Sequence, residues 1–301
     1  MGWLIVTVIS SACLGLIHVV DKIVLHRHIR TPLSLILLIG GIDIIVGFGM
    51  LCFSRIPSES TFINNMSALA SGACIAFAVI LLQRTLYTEE VSRVVPITQS
   101  SPIFTVILAL LILDESISIM QCTGIAATVL GSILITLKLD RNTSRIFLHK
   151  SFYPLMFSAF LFGAANVAGK LAVEQLPVLY TQGLRNVTFG LILVFYAFRS
   201  EVFAEVKDLI HKRSPALILV TLNQFVTANV GSIMLLWALS LGPASLVAVV
   251  AASRALFAFI YSIGLTKIWA NLLGEDTSND SVLMKLVSTL LIILGIALIS
   301  I

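Results

Sequence analysis

Charge is what this sequence has least of. Over 301 residues, Asp, Glu, Lys and Arg make up 11% against 58% for the apolar residues, whereas a soluble globular domain carries about 25% charged side chains. Nineteen basic and fifteen acidic residues cannot coat a water-soluble body of this length, so a soluble enzyme is excluded and the bilayer is the expected solvent. Cysteine is scarce as well. Cys13, Cys52, Cys74 and Cys122 sit inside or at the end of apolar stretches, at spacings that suit neither a disulfide framework nor a zinc site. The chain has no Gly-x-x-x-x-Gly-Lys-(Ser/Thr) run, so ATP-driven transport by this chain alone has no phosphate cradle to use. No nucleophile elbow or interfacial His/Asp cluster supports a lipid-modifying enzyme. No metal, cofactor or nucleic acid is expected: His26-Arg27-His28 lacks accompanying ligands, and a net charge of +4 in a membrane chain marks loops.

What is present is apolar sequence in long runs. A bilayer core needs about 20 apolar residues per helix, and that ruler finds ten segments, near 3–20, 33–53, 65–86, 91–113, 117–138, 152–173, 176–198, 215–239, 243–267 and 281–300. They are too continuously apolar for the alternating strands of a β-barrel. Short joints such as Asp114-Glu115-Ser116 and Leu241-Gly242 allow only tight helical hairpins. The two longer connections, Lys138 to Ser151 and Arg199 to Ser214, are polar and too short for a soluble domain.

The chain also resembles itself. Gly15-Leu16-Ile17-His18-Val19-Val20-Asp21-Lys22 recurs as Gly163-Ala164-Ala165-Asn166-Val167-Ala168-Gly169-Lys170, 148 residues on. The stretch Val91 to Phe104 aligns with Ala244 to Phe257, and Leu113-Asp114-Glu115 is answered by Leu273-Gly274-Glu275. Five segments per copy is an odd number, so the second copy enters the membrane with the opposite sense. The expected fold is therefore all-α and integral to the membrane, with ten transmembrane helices in two inverted five-helix repeats, 1–138 and 152–301, joined by a basic loop at 139–151. Carriers use this arrangement to rock one half against the other around a midplane site.

At these residues the chain resembles the EamA type of the drug/metabolite transporter superfamily. The resemblance rests on the Gly-x-x-(His/Asn)-x-x-x-Lys ending of the first helix in each half and on Val91-Ser92-Arg93-Val94-Val95-Pro96-Ile97 through Ser101-Pro102-Ile103-Phe104 to Leu113-Asp114-Glu115. In the second half it rests on Leu239-Ser240-Leu241-Gly242-Pro243-Ala244-Ser245, on Leu272-Leu273-Gly274-Glu275, and on Leu184-Arg185 after Pro177. It implies a ten-helix secondary carrier, an exporter, of small metabolites such as amino acids, organic acids or drug-like compounds. The chain departs from the pattern at Asp114, where Gly commonly precedes the Glu, and at Gly40, read as the counterpart of Arg185. The competing classes are a lipid-modifying enzyme and a non-transporting scaffold or receptor.

Orientation follows from the basic residues. The loops after the odd-numbered segments collect fifteen Lys and Arg, and the opposite side only Arg55 and Lys170. The positive-inside rule then places the odd loops in the cytoplasm and both termini outside, in a multi-pass protein of the plasma (inner) membrane. The family habit is cytoplasmic termini, so the two expectations differ.

Charges deep in spans cost about 2.5–3.5 kcal/mol each at a helix centre. Asp43, Arg185 and Arg254 are so placed, and they are expected to face a watered interior with His18, Gln83, Gln99, Asn166, Gln182, Asn186, Asn223, Gln224 and Asn229. Asp43 is either a structural partner for an arginine or the protonatable group that couples transport to a proton gradient; a proton or a counter-substrate is the expected coupling partner of the carrier. The two arginines against one aspartate favour solutes bearing a carboxylate or another anionic group. Lys22 and Lys170 close their segments either by snorkelling or as gates against Glu89, Glu90 or Glu174. Pro96, Pro102 and Pro243 are the expected hinges, because proline removes a backbone donor and frees carbonyls.

Overall fold

Backbone amides that lie in hydrocarbon must find partners within their own segment, and the apolar runs answer that demand with helices. A computed structural model describes residues 2–27, 29, 31–54, 61–88, 97–136, 152–258, 260–261 and 279–299. Every regular element among these is helical. The helices are α1 (Gly2–Arg27), α2 (Pro32–Phe53), α3 (Phe62–Thr88), α4 (Ser101–Ile112), α5 (Ile119–Thr136), α6 (Phe152–Val173), α7 (Val178–Tyr196), α8 (Ser200–His211), α9 (Pro215–Leu241), α10 (Ala244–Ala251) and α11 (Asn279–Ile299). Six, namely α2, α3, α6, α7, α9 and the Gly2–Asp21 stretch of α1, are long and apolar enough to cross a bilayer. Shorter apolar helices occupy Ser101–Ile112, Ile119–Leu134, Ala244–Ala258 and Val287–Leu298. Each of the ten apolar segments thus holds a helix.

Proline and serine set several starts. Pro32 and Pro215 open α2 and α9, where the missing N–H costs nothing, and the Ser214 hydroxyl accepts from the Ala216 amide. One connection expected to be a loop is a helix. Arg199 to Ser214 contains α8, whose Val202 and Leu209 are buried in the core formed with Leu35, Ile36 and Leu193. Val202, Val206 and Leu209 fall at helical spacing, with Glu201, Lys207 and Asp208 on the polar side, which makes an amphipathic helix. Glu205 anchors it to the start of α2, accepting from the Thr31 hydroxyl at 2.7 Å and from Ser34 at 2.8 Å.

Helices of the first half pack on helices of the second: α2 on α7, α5 on α11, α3 on α6, α1 on α9, and α4 on both α6 and α10. Small residues permit the closest crossings. A Cβ built on Gly190 would fall 2.5 Å from the Gly40 carbonyl oxygen, and one on Gly47 2.9 Å from the Val187 backbone. Residue number rises along α2 as it falls along α7, so this pair is antiparallel; Gly131 against Ile292 and Gly295 against Thr128 show the same for α5 and α11.

These contacts recur in pairs. Gly40 meets Val194 as Gly183 meets Leu51, and Gly47 meets Val187 as Gly190 meets Ile44, each pair related by the shift that takes Gly40 to Gly183. Gly15 abuts Phe257 and Ala258 as Gly163 abuts Phe104 and Thr105. The Ser10 hydroxyl donates to the Gly231 carbonyl at 2.7 Å, and Ser158 to that of Ala78 at 2.8 Å. The register of α2 on α7 corrects one alignment. Gly40 corresponds to Gly183, not to Arg185, and Ile42 takes the position matching the arginine.

The helical stretches before α4 and after α10 are set off by turns at 99–100 and at 252–253, 153 residues apart. Pro102 stands in the first turn after the earlier break. The later break has no proline beside it, and Pro243 is the residue that precedes α10, not one inside it. Pro96 lies outside the described residues.

Candidate functional site

The α2–α7 crossing brings the polar residues together. Asp43 lies three residues after Gly40 and four before Gly47, and Asn186 lies three after Gly183 and four before Gly190. Positions at these spacings share one helix face, so the face that approaches most closely also carries the carboxylate and the amide. α9 completes the site. Its regular turns are interrupted by a π-helical turn, Asn223–Ala228, a rare feature that is frequent at functional sites.

A single chain of hydrogen bonds runs through the crossing. Arg185 Nη1 donates to Gln182 Oε1 at 3.4 Å, Gln182 Nε2 to Asn186 Oδ1 at 2.7 Å, and Asn186 Nδ2 to Asn229 Oδ1 at 2.5 Å. Asn229 Nδ2 reaches Asp43 Oδ1 at 3.4 Å and the Gln224 carbonyl at 2.7 Å, while Gln224 Nε2 donates to Asp43 Oδ2 at 2.6 Å. Asp43 is 2% exposed, and the other five residues are buried too. Among the described residues neither Arg185 nor Arg254 forms an ion pair with Asp43; cation and anion communicate through three neutral amides. Gly72 of α3 and Gly169 of α6 leave room around Arg185. Its Nε is buried without a hydrogen-bond partner among the described residues, which costs the desolvation of that donor.

The remaining intramembrane candidates lie apart. Asn223, the first residue of the π turn, donates to Asp21 Oδ1 of α1 at 3.1 Å, and its own Oδ1 is buried with no partner. Asn166 donates to Thr105 at 3.3 Å. Gln99 is buried at the first helix break, and Arg254 follows the second, half-buried. Gln83 is buried with Oε1 unpaired. The side chains of His18 and Lys22, and all of Glu89 and Glu90, lie outside the described residues.

A second polar assembly closes the turn between α9 and α10. Lys170 Nζ donates to the carbonyls of Leu239 at 2.9 Å and Gly242 at 3.2 Å, and pairs with Glu174 at 3.8 Å. Glu115 accepts from the Ala244 amide at 2.5 Å, from the Ser245 amide at 3.0 Å and from the Ser245 hydroxyl. A cation thus sits at the C-terminus of one helix and an anion at the N-terminus of the next, as each helix dipole favours. Lys170 therefore caps a helix end, which is neither free snorkelling nor a gate closed on Glu174 alone. Sequence reasoning reached Glu115 only as part of a repeated motif.

Buried amides bridge a carboxylate and a guanidinium where α2, α7 and α9 meet. Residues 1–137 match the EamA-like transporter family. That match meets the resemblance carried by the motifs of the first half and suggests a multi-pass membrane transporter of the drug/metabolite transporter superfamily. A solved crystal structure of a protein 11% identical to this chain superposes with a TM-score of 0.63, over 98% of this chain and 94% of the other, so the fold is shared across nearly the whole length. It is one of 27 solved chains that match. No curated protein matches the sequence.

Proposed function

We propose that the chain is a secondary carrier that exports small metabolites, such as amino acids, organic acids or drug-like compounds, across the plasma (inner) membrane by alternating access. The observation that carries this reading is the buried Arg185, without a carboxylate partner among the described residues and tied to Asp43 through Gln182, Asn186 and Asn229. An uncompensated cation inside the membrane is costly and is retained where a solute supplies the missing charge. The substrate's carboxylate or other anionic group goes to Arg185, Asp43 takes up the coupling proton, and the amides between them form the cavity wall. Gln83, Gln99, Asn166, Asn223 and Arg254 line the approaches.

In this reading residues 1–138 and 152–301 are two five-helix repeats of opposite sense, joined by the basic loop 139–151, with the odd loops cytoplasmic. The paired contacts and the antiparallel crossings of α2 with α7 and of α5 with α11 support it, because equivalent helices run against each other in an inverted repeat. The matching breaks at 99–100 and 252–253 are the flexible points of the moving helices.

Flux into proteoliposomes tests the proposal, using labelled amino acids and organic acids beside neutral and cationic compounds, with and without a pH gradient. Acids and amino acids move, and Arg185→Ala cuts their rate by about tenfold or more, the equivalent of the roughly 1.5–3 kcal/mol of a hydrogen bond to a charged group. Equal movement of neutral and cationic compounds, or an unaltered rate in Arg185→Ala, overturns it.

A further inference from the structure

The π turn of α9 does more than complete the Asp43 site. In it consecutive residues bond two different helices: Asn223 bonds Asp21 of α1 and Gln224 bonds Asp43 of α2. A regular α-helical turn separates consecutive side chains by about 100°; in the wider π turn both amides serve carboxylates at once. Asp21 is six residues from the end of α1 at Arg27 and Asp43 eleven from the start of α2 at Pro32, or about 9 Å and about 16 Å along their own helices at 1.5 Å per residue. Asp21 is half-buried, and Asp43 is sealed at 2% exposure.

We propose that Asp21 is a second proton-binding carboxylate of the carrier, and that the π turn ties its charge state to that of Asp43. The inference rests on the carrier reading for its purpose but not for its test. The side-chain amide of Asn223 fits both forms of Asp21. Its Nδ2 donates to the ionised carboxylate, and its Oδ1, buried and otherwise unpartnered, accepts from the O–H of the protonated one. Exchanging these bonds requires Asn223 to rotate. Gln224 is joined to it through the backbone, and the Gln224 carbonyl holds Asn229, the other donor to Asp43. A proton arriving from water at Asp21 therefore changes the donors available to Asp43, and a proton on Asp43 acts back on Asp21, as linkage demands.

Few other ionisable groups face either site. α9 has no Asp, Glu, Lys, Arg or His from Pro215 to Leu241. The α10 segment brings Arg254, whose backbone abuts Gly15, and Tyr261 packs on Val19 and Ile23. His18 and Lys22 flank Asp21 in the sequence of α1 itself. Towards Asp43, α7 contributes Arg185 through the amide chain, and α3 carries Arg84, which lies over the Tyr196 ring. α8 carries Glu201, Glu205, Lys207, Asp208 and His211, gathered at the Pro32 end of α2.

Infrared titration of the purified full-length protein in detergent tests the coupling without any solute, by following the carbonyl stretch of protonated carboxyl groups with pH. Two bands are expected in the wild type, one lost in Asp21→Asn and the other in Asp43→Asn. Each substitution shifts the midpoint of the surviving band by about one pH unit, the size at which two sites titrate as a pair. Asn223→Leu abolishes that mutual shift, while Asp21→Glu retains it. In proteoliposomes Asp21→Asn loses about tenfold of pH-driven accumulation and keeps solute counterflow within about twofold, a split that a merely structural residue does not produce. Independent midpoints, an absent Asp21 band, or equal losses of drive and counterflow overturn the proposal. Failure of every solute to move in the wild type tells against the carrier reading instead, and leaves the infrared result to decide this one.

Discussion

Asp114 adopts a φ of 51° between α4 and α5, the left-handed region where a side chain is disfavoured and glycine is at ease. That explains why the family pattern sets Gly there, and Asp is among the few residues that tolerate the substitution. Replacement by glycine is expected to leave the apparent Tm of the detergent-solubilised protein unchanged or higher. Asp114→Val should lower stability by about 1–2 kcal/mol, read as a fall of several degrees in the same melt; a Val variant as stable as the wild type contradicts this. The departure was visible in the sequence, but its backbone cause was not. Residue scale also separates Asp43 from its expected alternatives. Its donors are two amides on α9, not an arginine, and no pattern of spacing within one helix foretells which helix supplies them.

At the scale of elements, the α2–α7 crossing depends on glycine. A Cβ at Gly40 would come within 2.9 Å of the Gly190 carbonyl oxygen, whereas one at Gly41 would meet nothing within 4 Å. Gly40→Ala is expected to cost about 1–3 kcal/mol through overpacking and to lower both folded yield and flux, while Gly41→Ala is expected to match the wild type. Size-exclusion profiles of the two variants, taken side by side, check it, and indistinguishable profiles refute it. The signal for this crossing was legible: Gly40, Asp43, Gly47 and Gly183, Asn186, Gly190 share one spacing, and small residues with a polar one between them on one helix face mark a close approach. The amphipathic pattern of α8 was equally present in Ser200–His211, obscured because a span-counting ruler discards short polar segments. The π turn had no comparable signal, since Asn223 and Gln224 interrupt an apolar run in the same way whether or not the helix widens around them.

For the whole molecule, the basic residues make a directional statement that chemistry can check. Asp114 and Lys212 are both exposed and lie on connections expected to face opposite sides of the membrane. In a chain freed of Cys13, Cys52, Cys74 and Cys122, a cysteine at position 114 is expected to react with an impermeant thiol reagent in intact cells, and one at 212 only after permeabilisation. The reverse pattern would favour the family habit of cytoplasmic termini over the charge asymmetry.

Composition and periodicity determined that the chain lives in a bilayer, is helical and places its helices in ten apolar segments, because hydrocarbon allows a backbone few other solutions. They also determined which polar residues had to be hidden, since each charge in a span needs company. Which of those residues meet was decided only by the tertiary structure. Asp43, Asn186, Asn229, Gln182 and Arg185 come from three helices far apart in sequence, and their hydrogen bonds depend on where glycines let α2 and α7 cross and where α9 widens by one turn. Such contacts are set by packing distance between helices, a quantity that no single segment carries.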